Sequence, residues 1–189
     1  MSTKLSIYVD LDETLIHSIQ GFGRNPGKRT PIPFKGAEKY HSLLRPASLE
    51  MLATLRNLGK VRMLTTATRE YAKAHNEVFT LGFGENEIVA REDYTSRVQL
   101  AYGFVLEPTR RKSDPQAVLI DNLSPESENS RIKIEYLGID ESRYFRIREF
   151  SGKDPDCFEA ELKSIFSDIR RIVAQTKARH HENDGPPHP

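Results

Sequence analysis

The chain has 189 residues, with 28 Lys plus Arg against 27 Asp plus Glu and a formal net charge of +1. That length suits one domain with a real core. No stretch approaches the roughly 20 apolar residues of a membrane helix, and the N-terminus MSTKLSIYVDLDE turns acidic too early for a secretory signal. The single Cys157 excludes an internal disulfide and a Cys-based zinc site, which favours a reducing compartment, cytoplasmic or, in a eukaryote, nuclear. Balanced charge argues against whole-surface coating of nucleic acid but leaves room for a local patch.

Leu5 to Val9 is a short apolar run ending in acid and predicts a buried strand. Gly21 to Lys39 is rich in Gly, Pro and basic residues and predicts a long loop or hairpin flap. Ala47 to Leu58 follows Pro46, carries Leu49, Met51, Leu52 and Leu55 at helical spacing, and stops at Gly59. A second strand spans Val61 to Leu64. A helix then runs from Arg69 to Leu81, with Thr68 as N-cap and Gly82 past its end.

Short strands follow at Ile88 to Ala90, Leu100 to Leu106 and Ala117 to Ile120. Ser124-Pro125-Glu126 has the chemistry of a helix start, and that helix ends at Gly138. Ile132, Ile134 and Tyr136 also alternate like a strand. The last strand is Tyr144 to Ile147. Asp154-Pro155 opens a final helix with Phe158, Leu162, Ile165, Ile169 and Ile172 on one stripe. Ala178 to Pro189 has no core-forming pattern and predicts a disordered tail. The expectation is therefore one α/β domain over 1–177, with a flap insert over 18–45 and a tail over 178–189. Alternating strands and helices imply a mostly parallel sheet with helices on both faces.

Such sheets bind ligands beyond the carboxyl ends of their strands. Asp10-Leu11-Asp12 follows the first strand, Thr65-Thr66 the second, and Asp121-Asn122 the Ala117 to Ile120 strand. If those strands are neighbours, Asp10, Asp12, Asp121 and Asn122 form a hard oxygen environment suited to Mg²⁺. A carboxylate beside such an ion can attack phosphorus in line, and a second carboxyl group two residues on can protonate the leaving alcohol. Paired acids at a strand end also serve simply as turn and cap residues. An EF-hand loop from Asp10 fails, because its sixth position is Leu15 and its twelfth Gly21.

The run Ile7-Tyr8-Val9-Asp10-Leu11-Asp12-Glu13-Thr14-Leu15 resembles the first motif of haloacid dehalogenase (HAD) superfamily phosphatases. Asp10 to Ser18, DLDETLIHS, is similar to the opening of the small CTD phosphatases, also called NLI-interacting-factor-like phosphatases. Leu44-Arg45-Pro46, Leu64 to Ala72, Arg91-Glu92 and Val118 to Asn122 resemble further motifs of that branch. The resemblance spans about Leu5 to Ile147. It implies a HAD-like Rossmannoid sheet and a Mg²⁺-dependent phosphomonoesterase. Asp10 would be nucleophile and metal ligand. Asp12 would be general acid/base, with its carbonyl on the metal. Thr65, with Thr66 beside it, would bind phosphate, and Asp121 and Asn122 would complete the metal site.

One position departs from that pattern. The branch carries a lysine ahead of the last motif strand, where this chain has Leu106. No lysine occurs between Lys73 and Lys112, so Lys112, or failing it Arg110, is the expected cation.

Neither gap between the motifs is large enough for an independent cap domain, which leaves only a flap and an open site. An open site suits a phosphorylated macromolecule, a phosphoprotein by resemblance. The flap carries Arg24, Lys28, Arg29, Lys35 and Lys39, with Arg45 at its exit, as an anionic-substrate guide. A polynucleotide end is the alternative substrate, and a non-catalytic phosphate- or partner-binding module is the alternative of another class.

Overall fold

The computed structural model describes residues 4–21, 28–33, 40–100, 103–108, 112–152 and 158–183. Its elements in chain order are β1 (Ser6–Val9), β2 (Ile16–Gln20), β3 (Thr30–Ile32), β4 (Tyr40–Leu44), α1 (Ser48–Leu58), β5 (Lys60–Leu64), α2 (Arg69–Val78), β6 (Ile88–Val89), α3 (Arg91–Tyr94), β7 (Thr95–Leu100), β8 (Gly103–Pro108), β9 (Val118–Asp121), α4 (Glu128–Leu137), β10 (Tyr144–Arg146) and α5 (Phe158–Asn183).

Five strands make one parallel sheet in the order β10-β9-β1-β5-β6. The central strand β1 reads SIYV, and Ile7, Tyr8 and Val9 are fully buried. A continuous apolar run is what a strand covered on both faces needs. In register, Ile7 pairs with Val61 on one side and Val118 on the other, and Val9 with Met63 and Ile120. Because β9, β1 and β5 are adjacent and parallel, their carboxyl ends lie side by side at one end of the sheet.

Side chains alternate across the pleat. Ile7, Val9, Val61, Met63, Val118 and Ile120 face a core shared with α1, α2 and α5. Tyr8, Leu64 and Leu119 face the opposite core, with Tyr94, Tyr144 and α4. At the end of α1 the chain returns so closely to β1 that a Cβ on Gly59 would stand 2.3 Å from the Leu5 carbonyl oxygen. Thr68 caps α2 by accepting from the Tyr71 amide at 3.3 Å.

Several boundaries differ from expectation. The flap is a three-stranded antiparallel sheet, β2-β4-β3, with residues 22–27 and 34–39 outside the described residues. Of the predicted Leu100 to Leu106 strand, Leu100 ends β7 and Gly103 to Leu106 lie in β8, its antiparallel partner, while residues 101 and 102 lie outside the described residues. α4 is capped by Ser127, not Ser124, since Ser127 Oγ accepts from the Ser130 amide. Gly138 closes it with a left-handed φ of 68°. The predicted tail begins too early, because α5 continues to Asn183. Ala178, Lys177 and Arg179 favour helix, and no Gly or Pro interrupts the run before Gly185. No helix among the described residues is long and apolar enough to cross a membrane.

Candidate active site

Asp10 is the first residue beyond β1, and its amide donates to the Ile120 carbonyl at 2.9 Å, which fixes it beside β9. Asp121 ends β9 and is fully buried. Between the two carboxylates stands the ammonium of Lys133, 2.6 Å from Asp10 Oδ1 and 2.7 Å from Asp121 Oδ2. Lys133 is 1% exposed. A charge so deep is sustained only by direct partners. Burial works against the lysine's charge, yet Asp10 and Asp121 hold its proton affinity above the ordinary lysine value. Burial pushes the Asp10 carboxyl up, against the pull of Lys133.

The cation that the structure brings between these carboxylates is Lys133, not the expected Lys112. It lies twelve residues after Asp121, on α4, rather than ahead of β9. Lys112 instead donates to the Tyr8 hydroxyl and stands 5.0 Å from that ring's centre, away from the carboxylates. Arg110 lies outside the described residues. The signal for Lys133 was its position. Ser130, Lys133, Tyr136 and Leu137 form the buried face of α4, and a lysine on that face needs an anion.

The loop after β1 is tightly organised. Glu13 adopts a left-handed φ of 59°, and its amide donates to the Ile16 carbonyl at 2.7 Å. The turn sends the chain into β2 and leaves Asp12 half-buried. Its carboxyl accepts from the Tyr71 hydroxyl at 2.5 Å. Burial pushes Asp12 up to about 6, with the Tyr71 hydrogen bond opposing. Thr14 Oγ donates to Asn122 Oδ1 at 3.1 Å, joining the first and last strand ends. Asp121 Oδ1 accepts from the Leu123 amide at 3.0 Å.

Thr65 follows β5 and is buried; its amide donates to the Val89 carbonyl and its Oγ accepts from the Ala67 amide at 3.1 Å. Among the described residues no acceptor takes the Thr65 hydroxyl proton. Thr66, next along, is half-buried. The Arg91-Glu92 pair secures this loop: the Arg91 amide donates to the Ala67 carbonyl, and Glu92 accepts from the Arg69 amide, each at 3.0 Å.

Arg45, expected to guide substrate, is 4% exposed and serves the frame instead. Its guanidinium donates to the carbonyls of Thr14 and Arg148 and lies 4.1 Å from the Phe158 ring centre. Of the flap bases, Lys28 is exposed and Arg29 half-buried, whereas Arg24, Lys35 and Lys39 lie outside the described residues, as does Cys157.

No group of three or more His, Cys, Asp or Glu side chains among the described residues converges on a metal position. The residues nevertheless fit Mg²⁺, which takes one or two carboxylates and fills its sphere with water and phosphate oxygens. Lys133 bonds one oxygen each of Asp10 and Asp121, whose carboxylates keep further lone pairs, and Asn122, next in the chain to Asp121, is tied to the first loop by Thr14.

Two acids at the carboxyl ends of adjacent parallel strands, with a buried lysine between them, stand where open α/β sheets bind ligands. The chain belongs to the NLI interacting factor-like phosphatase family, whose model matches residues 5–134. The fission yeast RNA polymerase II CTD phosphatase Fcp1, solved as a variant bound to beryllium fluoride, superposes with a TM-score of 0.50 at 16% identity. That alignment covers 95% of this chain and 54% of that one. A second structure of Fcp1, an essential RNA polymerase II CTD phosphatase, gives 0.51 at 16% identity, covering 97% and 55%. The chain thus spans about half the length of both, and at this identity the likeness establishes the fold. No curated protein matches.

Proposed function

We propose that this protein is a Mg²⁺-dependent phosphomonoesterase that works through an aspartyl-phosphate on Asp10. The carrying observation is the Lys133 ammonium held between Asp10 and Asp121 at the carboxyl ends of β1 and β9. Lys133 aims Asp10 and opposes the burial that disfavours its charge, and its own charge offsets that of an incoming phosphoryl group. Thr65 Oγ has a proton to donate to a phosphoryl oxygen. Asp10 would bond to phosphorus as the ester P–O bond breaks, and Asp12 would give its proton to the departing alkoxide. Asp12 would then take a proton from the water that attacks phosphorus, which releases phosphate and restores Asp10. Asp10, Asp121, Asn122 and the Asp12 carbonyl would hold Mg²⁺, which when bound supplies neutralising charge at the phosphoryl oxygens.

A phosphorylated protein is the proposed substrate class. Family membership supports this, and so does the form of the insertions: a three-stranded flap and a hairpin, with no helical cap among the described residues. A polynucleotide end gains no comparable support, since Arg45 is buried in the frame.

The test is hydrolysis of an aryl phosphate with Mg²⁺, with chelator, and by Asp10→Asn. We expect turnover only by the wild type with Mg²⁺, and a phosphorylated protein trapped by acid quench that Asp10→Asn does not form. Equal turnover by Asp10→Asn would sink the mechanism. No turnover in any condition would favour the binding module.

A further inference from the structure

We propose that Tyr71 is a positioning residue for Asp12, fixing which carboxyl oxygen faces the leaving group, and that the flap holds Tyr71 in place. The inference rests on the phosphatase reading above. The Tyr71 hydroxyl donates to Asp12 Oδ1 at 2.5 Å. With Oδ1 engaged as an acceptor, a proton on the Asp12 carboxyl sits on Oδ2. That is the oxygen free to serve a departing alkoxide, which requires alignment at hydrogen-bond reach.

Tyr71 is in turn held from several sides. Its ring meets Tyr40 of β4 edge-on, with centres 5.0 Å apart, and lies 4.1 Å from His75, centre to centre. Ser18 and Ser42 are a cross-strand pair of β2 and β4 with their hydroxyls 2.7 Å apart. His75 Nδ1 donates to the Tyr71 carbonyl at 2.9 Å, so Nε2 accepts, 2.8 Å from Ser42 Oγ and 3.2 Å from Ser18 Oγ. A closed polar network therefore links the flap to the oxygen geometry of Asp12. Tyr71, Ser42 and His75 are buried, so their network is shielded from solvent.

This arrangement predicts a loss that depends on the leaving group. An aryl phosphate expels a stable phenolate and needs little protonation, whereas an alkyl phosphate such as phosphoserine needs its alkoxide protonated as the P–O bond breaks. The experiment measures kcat/KM, which reports steps up to departure of the leaving group, for wild type and Tyr71→Phe with both ester types and Mg²⁺. We expect Tyr71→Phe to lose about ten- to a hundredfold on the alkyl ester and less than about threefold on the aryl ester. Ser18→Ala should show the same asymmetry in weaker form. The aryl rate, measured on the same preparation, controls for misfolding.

Equal losses on both esters, or none on either, overturn the positioning role and leave the phosphatase reading intact. Wild-type turnover of the aryl ester alone does the same, since Asp12 then protonates nothing. Wild-type failure on both esters removes the phosphatase reading and the positioning role with it.

Discussion

The two faces of the central sheet are built from different materials. One face sets Ile7, Val9, Met63 and Ile120 against Met51, Leu52 and Leu55 of α1 and the Leu162, Ile165 and Ile169 stripe of α5. The other sets Tyr8, Leu64 and Leu119 against Tyr94, Tyr136, Tyr144 and the buried Lys133. Both carry buried polar atoms, but on the first they belong to the contact of Tyr71, His75 and Ser42 between α2 and the flap, and on the second to the tyrosines and Lys133. Tyr144 joins Ser130 at 2.9 Å, Tyr8 receives Arg62 and Lys112, and the Tyr94 hydroxyl has no hydrogen-bond partner among the described residues. The aliphatic face holds the strands in register; the tyrosine face delivers a cation from beneath to the strand ends.

Lys133→Met should break that division most severely. It leaves Asp10 and Asp121 adjacent, buried and uncompensated, a loss of about 3–5 kcal/mol in urea unfolding without Mg²⁺. Aryl phosphate turnover should fall by about a hundred- to a thousandfold, in the range of a lost electrostatic clamp. Retention of activity within tenfold would return the cation role to the loop ahead of β9. On the opposite face, Leu55→Ala should cost about 2–5 kcal/mol in the same unfolding assay. Its rate per folded molecule should stay near wild type, because Leu55 lies on α1 in the aliphatic core rather than at the strand ends. A rate loss matching the Lys133 effect would show that the faces are not separable.

The sheet and its carboxylates were legible because both are written locally. Apolar runs ending in Asp10, Thr65 and Asp121 state a strand and its terminal chemistry within a few residues. Lys133 was not legible, because its role depends on which turn of α4 faces the sheet. Ile132, Ile134 and Tyr136 around it read equally as strand alternation. Arg45 misled for the same reason: its charge suggested solvent, whereas the Phe158 ring and two backbone carbonyls hold it in the frame. Tyr71 carried no local signal of its role, because its hydroxyl meets Asp12, 59 positions away in sequence, only in the folded chain.

His75 offers a smaller and independent probe of the aliphatic face, where the flap meets α2. Burial depresses its pKa from 6.5 to about 4, so the folded protein keeps it neutral. The unfolded chain binds the extra proton between those values. Stability linked to His75 is thus full above about pH 6.5 and falls as the pH drops towards 4, by up to about 3 kcal/mol. His75→Asn should flatten that part of the stability-against-pH curve while lowering its plateau. An unchanged slope would mean that His75 is already charged at its serine contacts.

Lys112→Ala should have the smallest effect, and it sharpens the comparison most directly because Lys112 approaches the same tyrosine-rich face as Lys133. The Lys112 side chain is exposed and, among the described residues, hydrogen-bonds the Tyr8 hydroxyl, which Arg62 also contacts at 3.3 Å. Removing the ammonium therefore leaves Tyr8 with a donor, and the loop keeps its backbone bond from the Lys112 amide to the Tyr136 carbonyl at 2.8 Å. An exposed charge with a replaceable partner is worth about 1 kcal/mol or less, so the melting midpoint should barely move. Turnover should stay within about twofold, since a lysine held at Tyr8 adds little field at Asp10 once Lys133 is in contact. A tenfold loss of turnover with unchanged stability would mean that Lys112 leaves Tyr8 to meet the substrate. The tyrosine face would then supply two cations to the reaction rather than one.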